Sequence, residues 1–421
     1  MSNLRVLIVG ASIAGPTAAY WFAKAGAKVT VVERFPHIRP NGQNVDIRTV
    51  GVTVMRRTPG MEAAVRAKVM PYEGISFVGS NGRPFGIIRA TGNPDQQSLV
   101  SEYEILRGDL SQILFDMTKD NENISYVFGE QVASMQQHEQ EDGPVTVEFA
   151  NGFPASEFDL VVACDGATSR TRALGLGCGV RDHIKSINCW VAYFSTQQDI
   201  LDGSKLGQSY SAPGGRWIAA GSNPAGGSRV TLMGLYPRDN LDITRSFRSA
   251  MAQGDVAFKQ HIAQHFKGAG WKCDEAIEGM MGSPDFYASE IAQVKPPSLC
   301  KGRFVLVGDA GYAAGPTGGG TSLAIAGAYV LAGEISKHKG DLAAGLQGYE
   351  ERMRPIIDDL QKIPFLVPTV LAPQTTWGLW VRNSIIWFIC WTRVMQFSQR
   401  FFANSYGSGD KYRLPEYSWD K

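Results

Sequence analysis

The chain has 421 residues, too many for one ordinary hydrophobic core, so two or three domains are expected. Apolar residues make up 44% and charged residues 19%, the balance of a globular protein with a large buried fraction. A formal net charge of +1 without a dense basic run argues against a nucleic-acid partner, and no uninterrupted run of 18 apolar residues is present to span a bilayer.

Residues 4–9 (LRVLIV) read as a buried strand. Gly10-Ala11-Ser12-Ile13-Ala14-Gly15 follows, then an alanine-rich helical pattern, then a second apolar run from Lys28 to Val32 that ends in Glu33. Strand, glycine turn, helix, strand and acid form the layout of a dinucleotide-binding βαβ unit. Gly10 allows the tight turn. Ser12 stands where a second glycine is usual, and it is small enough for a pyrophosphate to approach. Gly15 lets helix and strand pack closely, and the helix start around Ala14 offers unpaired N–H groups to phosphate. Glu33 would accept hydrogen bonds from a ribose and repel a 2′-phosphate, which points to FAD or NAD(H) rather than NADP(H). The plainer alternative is a glycine turn in an ordinary α/β unit. A secretory signal is rejected, because the glycine turn interrupts the apolar run.

Phe35 to Asn44 reads as a loop, and residues 42–48, with Gln43 and Arg48, enter a helix expected to reach about Lys68. Short β-rich pieces within 74–100 suggest a small sheet insertion. Glu104 to Met117 is patterned as an amphipathic helix. Strands are expected near 124–128 and 144–149. A continuously apolar strand then leads to Asp165-Gly166, followed by Ser169 and Arg172. Alone, that element reads as a strand-ending turn with an Asx-type cap.

Residues 186–240 follow antiparallel grammar, with strands at Asn188–Phe194, Arg216–Ala220 and Arg229–Tyr236, and 244–293 look largely helical. Residues 302–338 return to strand, glycine loop and helix. Asp309, at the end of that strand, can hold a polyhydroxyl chain such as ribitol. The run Gly318-Gly319-Gly320 at a helix start aims N–H groups and a positive dipole end at an electron-rich ring edge. A plain glycine-rich loop is the alternative. From about 346 the pattern is helical to the end, with tryptophans at 377, 380, 387 and 391. The expected fold is α/β: a Rossmann-like nucleotide domain (1–73, 101–180 and 300–345), an inserted antiparallel-sheet domain (74–100 and 181–299) and a C-terminal helical region (346–421). The six cysteines have no C-x-x-C and no zinc spacing with histidine, so no metal site is expected and a reducing, cytoplasmic setting is.

Taken together, GASIAG with Glu33-Arg34, Asp165-Gly166 with Ser169 and Arg172, and Gly308-Asp309 with Pro316 resemble the three fingerprints of the group A flavoprotein monooxygenases of the para-hydroxybenzoate hydroxylase fold. Tetracycline-inactivating and natural-product tailoring monooxygenases are similar. The resemblance implies non-covalent FAD held by Gly10, Ser12, Ala14, Gly15, Glu33, Arg34, Gln43, Arg48, Arg107, Asp165, Gly166, Asp309, Pro316, Gly319, Gly320 and Thr321. It also implies NADPH or NADH as a transient reductant, O2, and a C4a-hydroperoxyflavin that hydroxylates or epoxidises an aromatic or polycyclic small molecule in secondary metabolism or degradation. A dehydrogenase or reductase, or a Baeyer–Villiger oxygenase, is the alternative on the same fold, as monomer or homodimer. Two departures from the family pattern stand out. Gly311-Tyr312 replaces the usual alanine and histidine after Gly308-Asp309-Ala310, so any role of that histidine is lost or passes to Tyr312. Thr321 occupies the position of the last loop glycine.

The substrate side is less legible. Trp190, Tyr193, Tyr210, Arg216, Trp217 and Tyr236 lie on or beside the antiparallel strands, one face of which should roof a pocket. Arg216, Tyr193 and Tyr236 are the catalytic candidates, with core packing or a solvated strand end as the competing reading. Asp182 and His183 are expected on the surface. The tryptophan-rich stretch 377–403 suits a helix packed on the body, an oligomer contact or an interfacial membrane helix; its mixed polar residues favour packing.

Overall fold

The computed structural model describes residues 4–40, 42–70, 73–90, 102–137, 143–237, 241–363, 370–392 and 412–419. The chain opens with β1 (Arg5–Val9), α1 (Ala14–Lys24) and β2 (Lys28–Glu33). Next come β3 (Asn44–Asp46), α2 (Val50–Arg57) and α3 (Met61–Arg66) in place of one helix reaching Lys68. Thr58 is extended before Pro59, and Gly60 takes φ +81°, so the helix cannot continue through them. β4 (Gly74–Val78) and β5 (Pro84–Arg89) form a hairpin. β6 (Glu104–Leu106) precedes α4 (Arg107–Asp116). The expected helix thus starts three residues late, because 104–106 pairs with β3 instead.

β7 (Ile124–Phe128), β8 (Val132–Gln137), β9 (Val145–Phe149), β10 (Ser156–Phe158), β11 (Leu160–Ala163) and α5 (Arg170–Leu176) follow. β12 (Ile184–Thr196), β13 (Gly207–Ala212), β14 (Arg216–Ser222) and β15 (Ser228–Leu235) lead to α6 (Leu241–Ala252), α7 (Asp255–Phe266) and α8 (Cys273–Gly282). β16 (Tyr287–Val294) ends the stretch expected to be helical, since it completes a sheet edge beside β12. The last elements are β17 (Cys300–Lys301), β18 (Phe304–Leu306), α9 (Asp309–Tyr312), α10 (Gly320–Lys337), α11 (Leu342–Leu360) and α12 (Thr376–Trp391). The expected helix to the terminus is corrected at 413–419, which carries none. There, Tyr417 and Trp419 lay their rings against Tyr329 and Trp21 from extended chain.

Six strands in the order β17-β18-β11-β1-β2-β7 form the central sheet, parallel from β18 to β7. Its inner strands are apolar on both faces because both are covered. α1, α10 and α11 bury one face, and the sheet β10-β9-β8 covers the other. α10 is buried almost all round: a Cβ at Gly327 would collide with the Tyr312 hydroxyl, and one at Gly333 with the Tyr417 ring. The second sheet, β16-β12-β15-β14-β13-β4-β5, takes strands from two distant parts of the chain. Trp190, Phe194, Ile218 and Leu232 project from one face into α6, α7 and α8, forming a separate core. The opposite face carries a smaller cluster of Cys189, Val191, Leu235 and Ala372.

Candidate functional site

The first turn is built by close approach. Gly10 has φ +107°, and a Cβ there would lie 2.7 Å from the Cys164 carbonyl oxygen. At Gly15 a Cβ would lie 1.9 Å from the Gly10 oxygen, so α1 can sit on β1 only without one. The Glu33 carboxylate at the end of β2 accepts the Ala11 N–H at 2.8 Å and the Phe35 N–H at 3.1 Å. The acid therefore stands at the mouth of the glycine turn. The Ser12 hydroxyl lies 3.2 Å from that of Ser111 on α4, and the Arg34 guanidinium covers the Phe35 ring.

A second group adjoins the first. A Cβ at Gly308 would lie 3.0 Å from that of Ala14, so the two glycine motifs touch at the carboxyl ends of the parallel strands. That edge is where open α/β sheets bind ligands. Asp309 follows β18, open to the cleft yet deep among protein atoms. Burial raises its carboxyl above the usual range, with Arg107 opposing. A Cβ at Gly320, the first residue of α10, would lie 3.5 Å from Asp309 Oδ1. Pro316 and Gly318 form the exposed turn before it, and Gly319 and Thr321 flank the helix start. The Arg107 N–H donates to the Gln43 carbonyl, and the Arg107 side chain packs on Gly42. The Arg48 N–H donates to Ser322 Oγ on α10, and its guanidinium pairs with Asp46 at 2.9 Å.

These residues fit an FAD. Gln43 Oε1 and Asp46 Oδ1 are buried without protein partners. Asp309, at a strand end beside a helix N-terminus, is free to accept from ribitol hydroxyls. Glu33, accepting one N–H on each oxygen, keeps lone pairs that could accept from a ribose.

The Asp165-Gly166 element serves the site from behind. Asp165 accepts from the hydroxyls of Ser169 and Thr171 and from the Thr171 N–H. Its carboxylate thus starts α5, as the capping reading expects, and both oxygens are occupied by protein. Gly166 takes φ +87° in that turn. Tyr312 is corrected as a stand-in for the missing histidine. It is 1% exposed, and its hydroxyl lies 3.1 Å from that of Tyr349 in the core.

The second sheet turns its open face to these motifs. Arg229 on β15 donates to the Gly42 carbonyl and pairs with Asp285, while Gln293 on β16 donates to the Ala314 carbonyl at 3.0 Å. Both contacts come from the side opposite the helices. Tyr193 alternates onto this face and packs with Val191 and Met233, and burial holds its phenol well above the usual range. Trp217 also lies here, its indole N–H on Ser209 Oγ at 2.8 Å.

Arg216 and Tyr236 do not lie on this face. Arg216 donates to the carbonyls of Pro213, His265 and Lys267, closing the end of α7. Tyr236 bonds the His265 ring on the helix-covered side. Burial there lowers the His265 imidazole to about 4. Trp190 and Tyr210 share that covered side. Sequence reasoning missed Arg229 and Gln293: alternation with Met233 along β15 marks the face of Arg229, but Gln293 falls in the stretch expected to be helical. It also missed Arg382 of α12, which donates to Ser211 Oγ at 2.8 Å. A surface cleft of about 440 Å³ at the far rim, lined by Glu73, Asp199 and Lys205, takes no part in this arrangement.

Fold and site together define an FAD-dependent oxidoreductase. A family model described as an FAD binding domain matches residues 3–235. The FAD-dependent monooxygenase asL4 of Sarocladium schorii is 33% identical, with 94% of this chain and 94% of that protein covered. Monooxygenase CTB7 of Cercospora beticola is 31% identical, with 99% and 98% covered. The crystal structure of tetracycline destructase Tet(51) matches with a TM-score of 0.75 at 26% identity, covering 99% of this chain and 100% of that one. The chain belongs to this FAD-binding family of flavin-dependent monooxygenases.

Proposed function

We propose that this protein takes reducing equivalents from NADPH or NADH and inserts one atom of O2 into an aromatic or polycyclic small molecule, in secondary metabolism or degradation. The observation that carries the reading is the junction between the open face of the second sheet and the FAD motifs, made by Gln293 on the Ala314 carbonyl and Arg229 on the Gly42 carbonyl. Bound FAD supplies the redox and oxygen-activating chemistry. Glu33 and the Gly10–Gly15 turn would hold its adenosine and pyrophosphate end. Asp309 would hold the ribitol, and the N–H groups at the α10 start, Gly319-Gly320, would lie towards the ring. Gln43, Arg48 and Arg107 close the side towards α4. The apolar face excludes water and lies flat against a flat substrate. Tyr193 offers a phenol that burial keeps protonated, suited to donate to a substrate oxygen. The working division assigns 1–73, 101–180 and 300–345 to FAD, and 74–100 and 181–299 to substrate.

The test has two stages. Purified protein should be yellow and release FAD on denaturation. A polycyclic phenol that stimulates NAD(P)H oxidation should then yield product carrying one atom from labelled O2. Turnover without label in the product supports a dehydrogenase instead.

A further inference from the structure

Helix α12 meets the body along a narrow seam. Leu379 is buried there, Arg382 reaches in to Ser211, and a Cβ at Gly86 would lie 3.0 Å from both Ile386 and Cys390. The outward face is aromatic. Trp377 is 73% exposed, Trp380 66%, Trp387 49%, Phe388 55% and Trp391 68%. Steps of three and four residues put them in one stripe. The Trp387 and Trp391 rings stack at 5.7 Å, and the one hydroxyl between them and Trp380, that of Ser384, bonds the Trp380 carbonyl. A monomer in water rarely leaves so much contiguous apolar surface uncovered.

The charge pattern is one-sided. From Ile363 to Gly409 the sequence has no Asp or Glu, and Arg393 and Arg400 come two and nine residues after Trp391. Among the described residues no helix is long and apolar enough to cross a membrane. A tryptophan stripe followed in sequence by arginines, on a helix whose described part is too short to span, suits the plane between headgroups and acyl chains.

We propose that α12 seats this protein on an anionic lipid bilayer, with its tryptophan stripe turned into the interface. A second copy of the chain fits less well. A two-fold contact centred on this helix would bring together two copies of a segment that has arginines and no carboxylate in its sequence. Anionic headgroups supply that charge. Because Arg382 ties α12 to the open sheet face, docking would hold that face roughly 10 Å, one helix diameter, from the lipid. A lipophilic substrate could then enter from the bilayer. Only this last point rests on the oxygenase reading; the docking surface does not.

The experiment is co-sedimentation of the full-length, FAD-loaded protein with phosphatidylcholine vesicles, with and without phosphatidylglycerol. Binding to the mixed vesicles with a blue shift of tryptophan emission is expected. Partition onto neutral vesicles should be weaker by roughly 25-fold, about fivefold for each of Arg393 and Arg400. The triple variant Trp377→Gln, Trp380→Gln, Trp391→Gln should lose vesicle binding and keep its FAD. Val256→Gln, 68% exposed on α7, should keep both. Should the triple variant lose FAD, Trp377→Gln alone decides by the same assay. The proposal is overturned by wild-type protein that ignores both vesicles or binds them equally. It is also overturned by a lipid-free dimer that already shields the tryptophans.

Discussion

The Arg172 guanidinium donates to the Ala310 carbonyl at 2.8 Å, joining two motifs 138 residues apart. The same group holds the Ala167 and Val180 carbonyls, and Arg172 is fully buried. The strand end that presents Asp309 is thus fixed from behind by the element at Asp165. Arg172→Met should leave three carbonyls short of a donor, at about 1–3 kcal/mol for each that water cannot reach. The expected outcome is a lower urea midpoint and a substoichiometric FAD content that added FAD restores only in part.

Asp309 makes a different prediction, about protons. Its carboxyl is raised by burial, and hydroxyls donating to it would favour the charged form. FAD binding would therefore release a proton, and affinity should rise with pH through the acid range. Asp309→Asn should weaken FAD binding roughly 10- to 100-fold, the worth of a hydrogen bond to a charged group, and flatten that pH dependence. Titrating the apoprotein with FAD at about pH 5 and about pH 8, read by flavin fluorescence, checks both parts. Equal slopes for wild type and variant would remove Asp309 from the site.

Much of the FAD half was legible because its signals are local. Gly10, Glu33 and Asp309 each sit where a buried strand ends, and strand, turn and helix start are adjacent in sequence. Arg107 came only from the resemblance, since the expected helix began at Glu104 and its start at Arg107 follows from the β3–β6 pairing. The substrate half was not, because it depends on which face of a strand looks where. Arg216 and Tyr193 lie on strands of one sheet, β14 and β12 with β15 between them, yet face opposite sides of it. Only the packing of α6, α7 and α8, distant in sequence from β12, decides between them. Asp165 shows the converse: its motif was recognised, but its carboxylate works on α5.

Arg216 is accordingly a structural residue. Arg216→Ala should lower thermal stability by about 1–2 kcal/mol through the lost carbonyl contacts at the end of α7. FAD content and KM for any accepted substrate should stay near wild type. Tyr193→Phe should do the reverse, sparing stability and changing kcat or KM. Steady-state kinetics beside thermal melts separate the two. A KM change confined to Arg216→Ala would place the substrate on the helix-covered side.

Glu104 sets a pH window for the whole fold. It faces Asp46 across the β3–β6 pair, with the Asn44 amide donating to it at 2.9 Å. Burial, with Asp46 adding, pushes its carboxyl up to about 7 from 4.5, against the opposing pull of Asn44 and Arg48. The folded protein thus holds this proton more tightly than the unfolded chain. Its contribution is fully present below about 4.5 and is lost as pH rises through about 7. The shift corresponds to at most about 3 kcal/mol. Glu104→Gln keeps the oxygen that accepts from Asn44 and removes the charge. It should leave stability near pH 5 unchanged, raise it near pH 8, and flatten the difference between urea midpoints at the two values. Wild-type midpoints that do not fall across this window would show that Glu104 ionises freely, and that the Asp46–Glu104 pair bears no shared cost.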